Sequence, residues 1–170
     1  MKSKKIITSS SWEGVYKNWD EANSKGKGFI GKRWASRITN QLEKYKEEIR
    51  LYGKYAIPPR PSSLPFLYSI DKFNTIADFG GSSGWLWYYF NNCFPKSKLD
   101  EYIIIENENI CKVFDKSSYH KKRPIRYSTM DKFNSKCEVF YTNSTIQYIN
   151  DDESFFNLIE HVTTKNDSIK

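Results

Sequence analysis

The sequence predicts an α/β fold, in which helices flank a parallel sheet of about four strands and an N-terminal helical segment precedes the sheet. Two observations support this prediction. After residue 70, short apolar runs alternate with stretches of helical periodicity, and this alternation is typical of parallel strands joined by crossover helices. A glycine-rich turn also follows the first of these apolar runs. At 170 residues, the chain has a length suited to one main globular unit.

The clearest helix lies near the start of the chain. Between residues 34 and 52, apolar side chains recur at steps of three and four, which predicts an amphipathic helix that ends at Gly53. Prolines at 58, 59 and 61 follow, and proline favours extended backbone. We therefore predict that residues 1–57 form an N-terminal helical segment with a Pro-rich linker, and that residues 58–170 form the main domain.

The elements of the main domain follow from their apolar patterns and from the residues that end them. Strands are predicted at residues 75–79, 101–106, 125–128 and 138–142, and helices at residues 85–94, 108–119 and 154–162.

Composition restricts the function classes only weakly. Lys and Arg number 27 against 20 Asp and Glu, a net charge of +7, which could favour nucleic acid, anionic lipid or an acidic small substrate. The lysines are spread along the chain, so a solvated surface is the favoured interpretation. No run resembles a signal peptide or a membrane span, and cytoplasmic residence is the default expectation.

The cysteines and histidines do not indicate a metal site. Cys93, Cys111 and Cys137 are far apart and lack the close pairs of a zinc site or a disulfide framework. The two histidines, His120 and His161, are not in a ligand spacing either. We expect free thiols in a reducing compartment and no metal.

The glycine-rich turn is the first candidate functional feature. Gly80, Gly81 and Gly84 follow the first strand, and glycine permits positive φ and close approach of the backbone. Such a turn, placed between a strand and a helix, points backbone N–H groups at a ligand at the carboxyl edge of a sheet. Ser82 stands where a stricter pattern has its second glycine, so a plain flexible turn remains an alternative.

Glu106 strengthens the ligand-binding interpretation. It lies 22 positions after Gly84, at the end of the second predicted strand, where a carboxylate can accept both ribose hydroxyls of a nucleoside ligand. An exposed acid at a strand end is the alternative, and the neighbouring Glu108 could be the ribose partner instead.

Three segments, residues 78–84, 102–106 and 140–149, resemble in order and spacing the first, second and fourth strand ends of class I S-adenosylmethionine-dependent methyltransferases. The chain is most similar to a group of bacterial methyltransferases encoded among surface-polysaccharide genes, which open with a segment like residues 12–22 and a pair like Gly28-Phe29. The resemblance implies a Rossmann-like fold, S-adenosylmethionine as cofactor, and a small molecule or a glycan as methyl acceptor.

The resemblance also implies roles for particular residues. The cofactor-binding residues that it implies are Asp78, Gly80, Gly81, Ser82, Gly84, Glu106 and Asp131. Asp78 would anchor the glycine turn, the backbone of residues 80–84 would wrap the methionine part, and Glu106 would hold the ribose. Asp131 would lie near the adenine, although a turn or a helix cap is an equal alternative. A dinucleotide would need closer approach at Ser82, so methyl transfer is preferred to dehydrogenation.

Catalytic residues are less clear because methyl transfer needs mainly the alignment of nucleophile and methyl group. The loop after the fourth strand would face the methyl group, which makes Asn143, Ser144 and Tyr148 the candidates. A polar turn without a catalytic role is the alternative. The loop lacks the Asn-Pro-Pro-Tyr type signature of enzymes that methylate amino groups of nucleic-acid bases.

The last expectation concerns length. The class I fold normally has seven strands, whereas only a helix at residues 154–162 is predicted after the fourth. We therefore expect a C-terminally shortened member with an uncovered sheet edge, which would favour self-association. Two alternatives to an active enzyme remain: a non-catalytic nucleotide-binding remnant or module, and a basic nucleic-acid-binding protein. We expect nucleic acid to bind weakly because the positive charge is dispersed.

Overall fold

The computed structural model describes residues 32–56, 66, 69, 72–94, 99–115, 125–149 and 152–162. The N-terminal motifs at residues 12–29, the Pro-rich stretch at residues 57–61, His120 and the C-terminal residues 163–170 lie outside the described residues.

The core of the molecule is one parallel sheet. Its strands are β1 (Thr75–Phe79), β2 (Glu101–Ile105), β3 (Ile125–Ser128) and β4 (Val139–Thr142). They lie in the order β3-β2-β1-β4, and all three pairings are parallel. This order is that of the first four strands of a Rossmann-like sheet, so the predicted α/β fold with about four parallel strands is confirmed.

Four helices accompany the sheet in the described part of the chain. They are α1 (Lys32–Tyr52), α2 (Trp85–Cys93), α3 (Glu108–Asp115) and α4 (Asp152–Val162). Short 3₁₀ turns occur at Gly53–Tyr55, Met130–Lys132 and Ile146–Tyr148. None of the helices in these ranges has the combined length and apolarity that crossing a bilayer requires.

The connections place the helices on defined faces. Both crossovers from β1 to β2 and from β2 to β3 advance in the same direction, and right-handed crossovers of this kind put their helices on the same face of the sheet. We call this the first face. It carries Ile76, Tyr102 and Ile104, which share one hydrophobic cluster with buried residues of α1, α2 and α3.

The connection from β3 to β4 passes β2 and β1 on the opposite side of the sheet, which we call the second face. Ala77, Ile103 and Ile105 lie there and pack with Phe133 from this connection and with Phe155 from α4. The second face is therefore covered by one described helix, against three on the first face.

α1 belongs to the first face because its sequence is amphipathic. Ala35, Ile38, Leu42 and Tyr45 are buried on one side, at the three- and four-residue steps that a helix brings onto one stripe. Each large apolar side chain buried in this way contributes roughly 1.5 to 3 kcal/mol. The predicted N-terminal helix is confirmed, and it packs directly against the sheet domain through α2 and α3.

Burial decreases from the centre of the sheet to its edge. β1 and β2 each bury four of their five residues, whereas every residue of β4 is half-buried. Among the described residues, β4 pairs with β1 alone. The buried centre of the sheet therefore fixes the ends of β1 and β2.

Candidate functional site

The candidate site lies at the carboxyl ends of β1 and β4. The chain moves from β1 to β2 and β3 on one side and then crosses to β4 on the other side of β1. Ligands of open α/β folds bind in the crevice at such a switch point. The segments that follow these strands are the glycine turn after β1 and the loop after β4.

The glycine turn has a strongly left-handed backbone. Gly80, Ser82 and Gly84 have φ values of 76°, 57° and 72°, and this region is unfavourable for residues with a Cβ atom. Ser82 therefore adopts the conformation of the glycine whose place it takes in the pattern. Gly81 does not have a positive φ, and close approach to Asp78 is what favours a glycine there.

Each glycine of the turn is required by a neighbouring protein group. A Cβ atom on Gly80 would lie 2.1 Å from Oγ1 of Thr145, and one on Gly81 would lie 2.6 Å from Oδ2 of Asp78. A Cβ atom on Gly84 would lie 2.7 Å from Cδ1 of Ile104. The turn thus packs tightly on β1, on β2 and on the loop after β4, which fixes the two segments of the crevice against each other.

Asp78 is the buried acid below the turn. Its exposed fraction is 3%, and the hydroxyl of Tyr102 on β2 donates a hydrogen bond of 2.7 Å to Oδ2. Because the same oxygen lies against Gly81, the carboxylate connects the second strand to the floor of the turn.

Glu106 follows β2 and faces the turn. Its Oε1 accepts the backbone N–H of Ser82 at 3.2 Å, and its Oε2 accepts the backbone N–H and the side-chain amide of Asn107 at 3.0 and 3.1 Å. Burial raises the pKa of Glu106 and outweighs these hydrogen bonds, which lower it. The half-buried carboxylate is therefore held by N–H donors in a position that disfavours its charge.

Asn107 fixes the position of the Glu106 carboxylate. Its Oδ1 accepts the backbone N–H of Ile110 at 3.2 Å, which is the N-cap interaction that begins α3. The start of α3 thus fixes Asn107, and Asn107 fixes Glu106. Glu108 is exposed and forms an ion pair of 3.0 Å with Lys112 on α3, whereas Glu106 contacts the glycine turn.

Asp131 lies in the 3₁₀ turn that follows β3 and is exposed. The side chain of Thr129 lowers the pKa of Asp131, so it is a charged group near the carboxyl end of the sheet.

The loop after β4 brings only one of the three catalytic candidates to the crevice. Asn143 lines a pocket between the two segments, and its amide donates a hydrogen bond of 3.0 Å to the hydroxyl of Tyr141. Ser144 has a φ of 57° and donates to Oδ1 of Asn143 at 2.9 Å. Tyr148 is exposed in the following 3₁₀ turn.

The pocket itself is small. Its lining residues are Asp78, Gly80, Gly81, Trp85, Leu86, Tyr141 and Asn143. Its volume of about 20 Å³ accommodates about one water molecule. A ligand larger than one water molecule does not fit into this pocket as it stands in the structure. A wider hollow of about 650 Å³ is lined, among the described residues, by α1 alone.

Several residues of the site were not predicted from the sequence. Tyr102 and Tyr141 lie on strands in which aromatic side chains indicate only core packing, and Thr145 contacts Gly80 across a long sequence separation. Asn107 did carry a signal, because an asparagine directly before a helix is a typical N-cap. Within the described ranges, no group of three or more His, Cys, Asp or Glu residues could hold a metal ion.

Comparison with known proteins gives matches in structure but not in sequence. No protein-family model matches the chain, and no curated protein matches it. A Pyrococcus horikoshii protein provisionally assigned as an RNA methyltransferase is similar at 16% identity and a TM-score of 0.46, over 76% of this chain and 69% of that one. A Staphylococcus aureus protein provisionally assigned as a caffeoyl-CoA O-methyltransferase is similar at 14% identity and a TM-score of 0.48, over 78% and 68%.

Human N-acetylserotonin methyltransferase, in complex with S-adenosylmethionine, is similar at 13% identity and a TM-score of 0.45. The match covers 76% of this chain and 35% of that one. The fold assignment rests on the strand order and the parallel register of the chain itself.

Proposed function

We propose that the chain is an S-adenosylmethionine-dependent methyltransferase that binds its cofactor at the carboxyl ends of β1 and β2. The observation that carries this proposal is the arrangement of Glu106, a half-buried carboxylate held toward the glycine turn by N–H donors from Ser82 and Asn107. The proposed role of Glu106 follows from the hydrogen bonds that a half-buried carboxylate can accept.

A carboxylate has about four acceptor positions, two on each oxygen, and the three N–H donors of Ser82 and Asn107 leave one of them open, on Oε1. A ribose hydroxyl would donate to that position, and a second one would compete with the Asn107 donors on Oε2. A hydrogen bond to a charged acceptor contributes about 1.5 to 3 kcal/mol. A nucleoside ligand would therefore relieve the cost of burying Glu106 and would be held by it.

Neighbouring residues would hold the remaining parts of the cofactor. In this proposal, the backbone of residues 80–84 wraps the methionine part and Asp78 anchors that turn. Asp131 follows β3, which lies next to β2 on the side away from β1. Its exposed carboxylate is proposed to accept a hydrogen bond from the amino group of the adenine.

Methyl transfer requires a nucleophile of the acceptor to attack the methyl carbon while the carbon–sulfur bond breaks and the sulfonium becomes a thioether. The acceptor atom loses its proton where it is an oxygen or a nitrogen. Asn143 lines the pocket and is proposed to orient the acceptor, with Ser144 and Tyr148 as further candidates in the same loop. The proposed acceptor is a small molecule or a glycan of a surface polysaccharide.

Calorimetry with S-adenosylmethionine and S-adenosylhomocysteine tests cofactor binding, with a nicotinamide dinucleotide as control. We expect both adenosyl compounds to bind and the dinucleotide not to bind. The opposite preference would assign the site to a dehydrogenase. A methyl-release assay with small hydroxylated acceptors and sugars then tests transfer.

A second candidate function is a non-catalytic module that binds the same cofactor. One observation favours it: Asn143 is the one catalytic candidate that lines the described pocket, and an amide cannot take a proton from the acceptor. Cofactor binding without methyl transfer to any acceptor would support this candidate over the enzyme.

A further prediction concerns nucleic acid. Because the positive charge is dispersed, we expect only weak binding of single-stranded or duplex nucleic acid at about 150 mM salt. Fluorescence anisotropy over a salt series measures it. Submicromolar affinity with a steep salt dependence would contradict the expectation.

A further inference from the structure

We propose that Tyr102 is a positioning residue, whose hydroxyl holds the Asp78 carboxylate in the orientation that binds the cationic amino end of the cofactor. This inference rests on the proposed function, because it concerns the methionine side of the same site. It assigns a role to a residue on β2 that has no contact with the pocket itself.

The geometry of the pair leaves little freedom. Tyr102 is fully buried and Asp78 is 3% exposed, and the hydrogen bond between them is 2.7 Å long. Tyr102 lies level with Ile76, two residues before Asp78 on β1, so its ring reaches diagonally along the first face to the carboxylate. Asp78 lines the pocket, while Tyr102 supports it from below.

The hydroxyl of Tyr102 can act only as a donor to this carboxylate. Burial and the neighbouring charge of Asp78 raise the pKa of Tyr102 well above its ordinary value, so the phenol keeps its proton at neutral pH. A hydrogen bond to the charged form of a carboxyl group favours that form. The bond from Tyr102 also fixes the orientation of the Asp78 carboxylate.

Other titratable groups surround the pair. Tyr127 on β3 and Tyr141 on β4 interact electrostatically with Tyr102, and Glu106 at the end of β2 interacts with Tyr127. Tyr88 from α2 and Cys111 from α3 also face Tyr127. Among these groups, Asp78 and Glu106 are the acids.

The experiment compares two ligands that share the nucleoside. S-adenosylhomocysteine has the amino-acid end that would meet Asp78, whereas adenosine lacks it and depends on Glu106. Calorimetry measures both ligands with the wild-type chain and with Tyr102→Phe, which removes the hydroxyl and keeps the ring. Tyr45→Phe is the matched control, because the buried hydroxyl of Tyr45 has no hydrogen-bond partner among the described residues.

We expect Tyr102→Phe to weaken S-adenosylhomocysteine binding roughly tenfold and to leave adenosine binding unchanged. Tyr45→Phe should leave the affinity for both ligands unchanged. Asp78→Asn provides a second variant: it should weaken S-adenosylhomocysteine binding, and adding Tyr102→Phe to it should cause little further loss.

Two results would overturn the inference. Equal losses for the two ligands in Tyr102→Phe would indicate a general structural disturbance, and unchanged S-adenosylhomocysteine affinity would show that the hydroxyl has no positioning role. Failure of the wild-type chain to bind either ligand would instead contradict the proposed function itself, and the inference with it.

Discussion

The amino edge of the sheet, where its strands begin, and the carboxyl edge, where they end, each hold a glutamate beside an asparagine. The pKa of the glutamate shifts in opposite directions at the two edges. At the amino edge, Glu138 accepts the backbone N–H and the side-chain amide of Asn74 at 2.7 and 3.1 Å, and these bonds lower the pKa of Glu138. At the carboxyl edge, Glu106 accepts the corresponding groups of Asn107, but burial raises the pKa of Glu106.

The difference supports the proposed place of the ligand. The amino edge pairs its polar groups with one another, as Glu138 does with Asn74 and as Arg126 does with Glu101 and Ser135. The carboxyl edge keeps a disfavoured charge beside a backbone with positive φ at Ser82 and Ser144. Strain and a perturbed pKa at one place are typical of functional sites.

The largest expected effect tests the tight packing of the carboxyl edge. Gly80→Ala should lower the free energy of unfolding by about 3 kcal/mol, because it adds backbone strain at positive φ and a collision with Thr145. Gly53→Ala is the matched control: Gly53 also has a positive φ, but a Cβ atom added there would meet no described atom within 4 Å. It should cost about 1 kcal/mol. Urea denaturation measures both.

A double-mutant cycle makes the Gly80 prediction specific. Thr145→Gly removes the three atoms closest to a Cβ atom on Gly80, so it should reduce the cost of Gly80→Ala to about that of Gly53→Ala. Equal costs for Gly80→Ala with and without Thr145 would show that the turn and the loop after β4 are not in contact.

The contribution of each glutamate to the free energy of unfolding should change with pH, and in opposite directions for Glu106 and Glu138. The folded-state pKa of Glu106 is raised above its ordinary value of 4.5. The wild-type chain should therefore lose stability relative to Glu106→Gln as the pH rises from about 4.5 through the raised value. The folded-state pKa of Glu138 is lowered below 4.5. Here the wild-type chain should lose stability relative to Glu138→Gln as the pH falls from about 4.5 through the lowered value.

Denaturation midpoints over a pH series measure these differences. Slopes of the same sign for the two variants would contradict the account of the two edges, because burial would then not dominate at Glu106.

The smallest expected effect concerns Asp131. Because its carboxylate is exposed, Asp131→Ala should weaken S-adenosylhomocysteine binding only a few-fold. Asp100→Ala is the control, since Asp100 is exposed at the amino edge and should have no effect. Calorimetry distinguishes them, and equal affinities for the two variants would remove Asp131 from the site.

The sequence predicted the sheet well because local patterns determine it. Strands β1 and β3 have the predicted bounds, and β2 and β4 differ from the prediction by one residue at one end. Apolar runs bounded by polar residues identify such strands without knowledge of their partners. Helix α1 begins two residues earlier than predicted, at Lys32, because the apolar pattern marks only the buried stripe.

The supports of the site could not be predicted in the same way. The hydrogen bond from Tyr102 to Asp78 spans 24 positions, and the contact between Thr145 and Gly80 depends on β4 lying next to β1. Such contacts follow from strand order and register, which no local pattern fixes. Glu106 was predictable because the strand end and the glycine turn together define its place.

The most direct test of the central claim is calorimetric titration of S-adenosylhomocysteine into Glu106→Ala and Glu138→Ala. The two variants remove the same side chain from opposite edges of one sheet. We predict that Glu106→Ala weakens binding by about 1 to 3 kcal/mol, because the ribose loses a charged acceptor, and that Glu138→Ala binds like the wild-type chain. Equal affinities of both variants, whether reduced or unchanged, would show that the carboxyl edge does not hold the cofactor through Glu106.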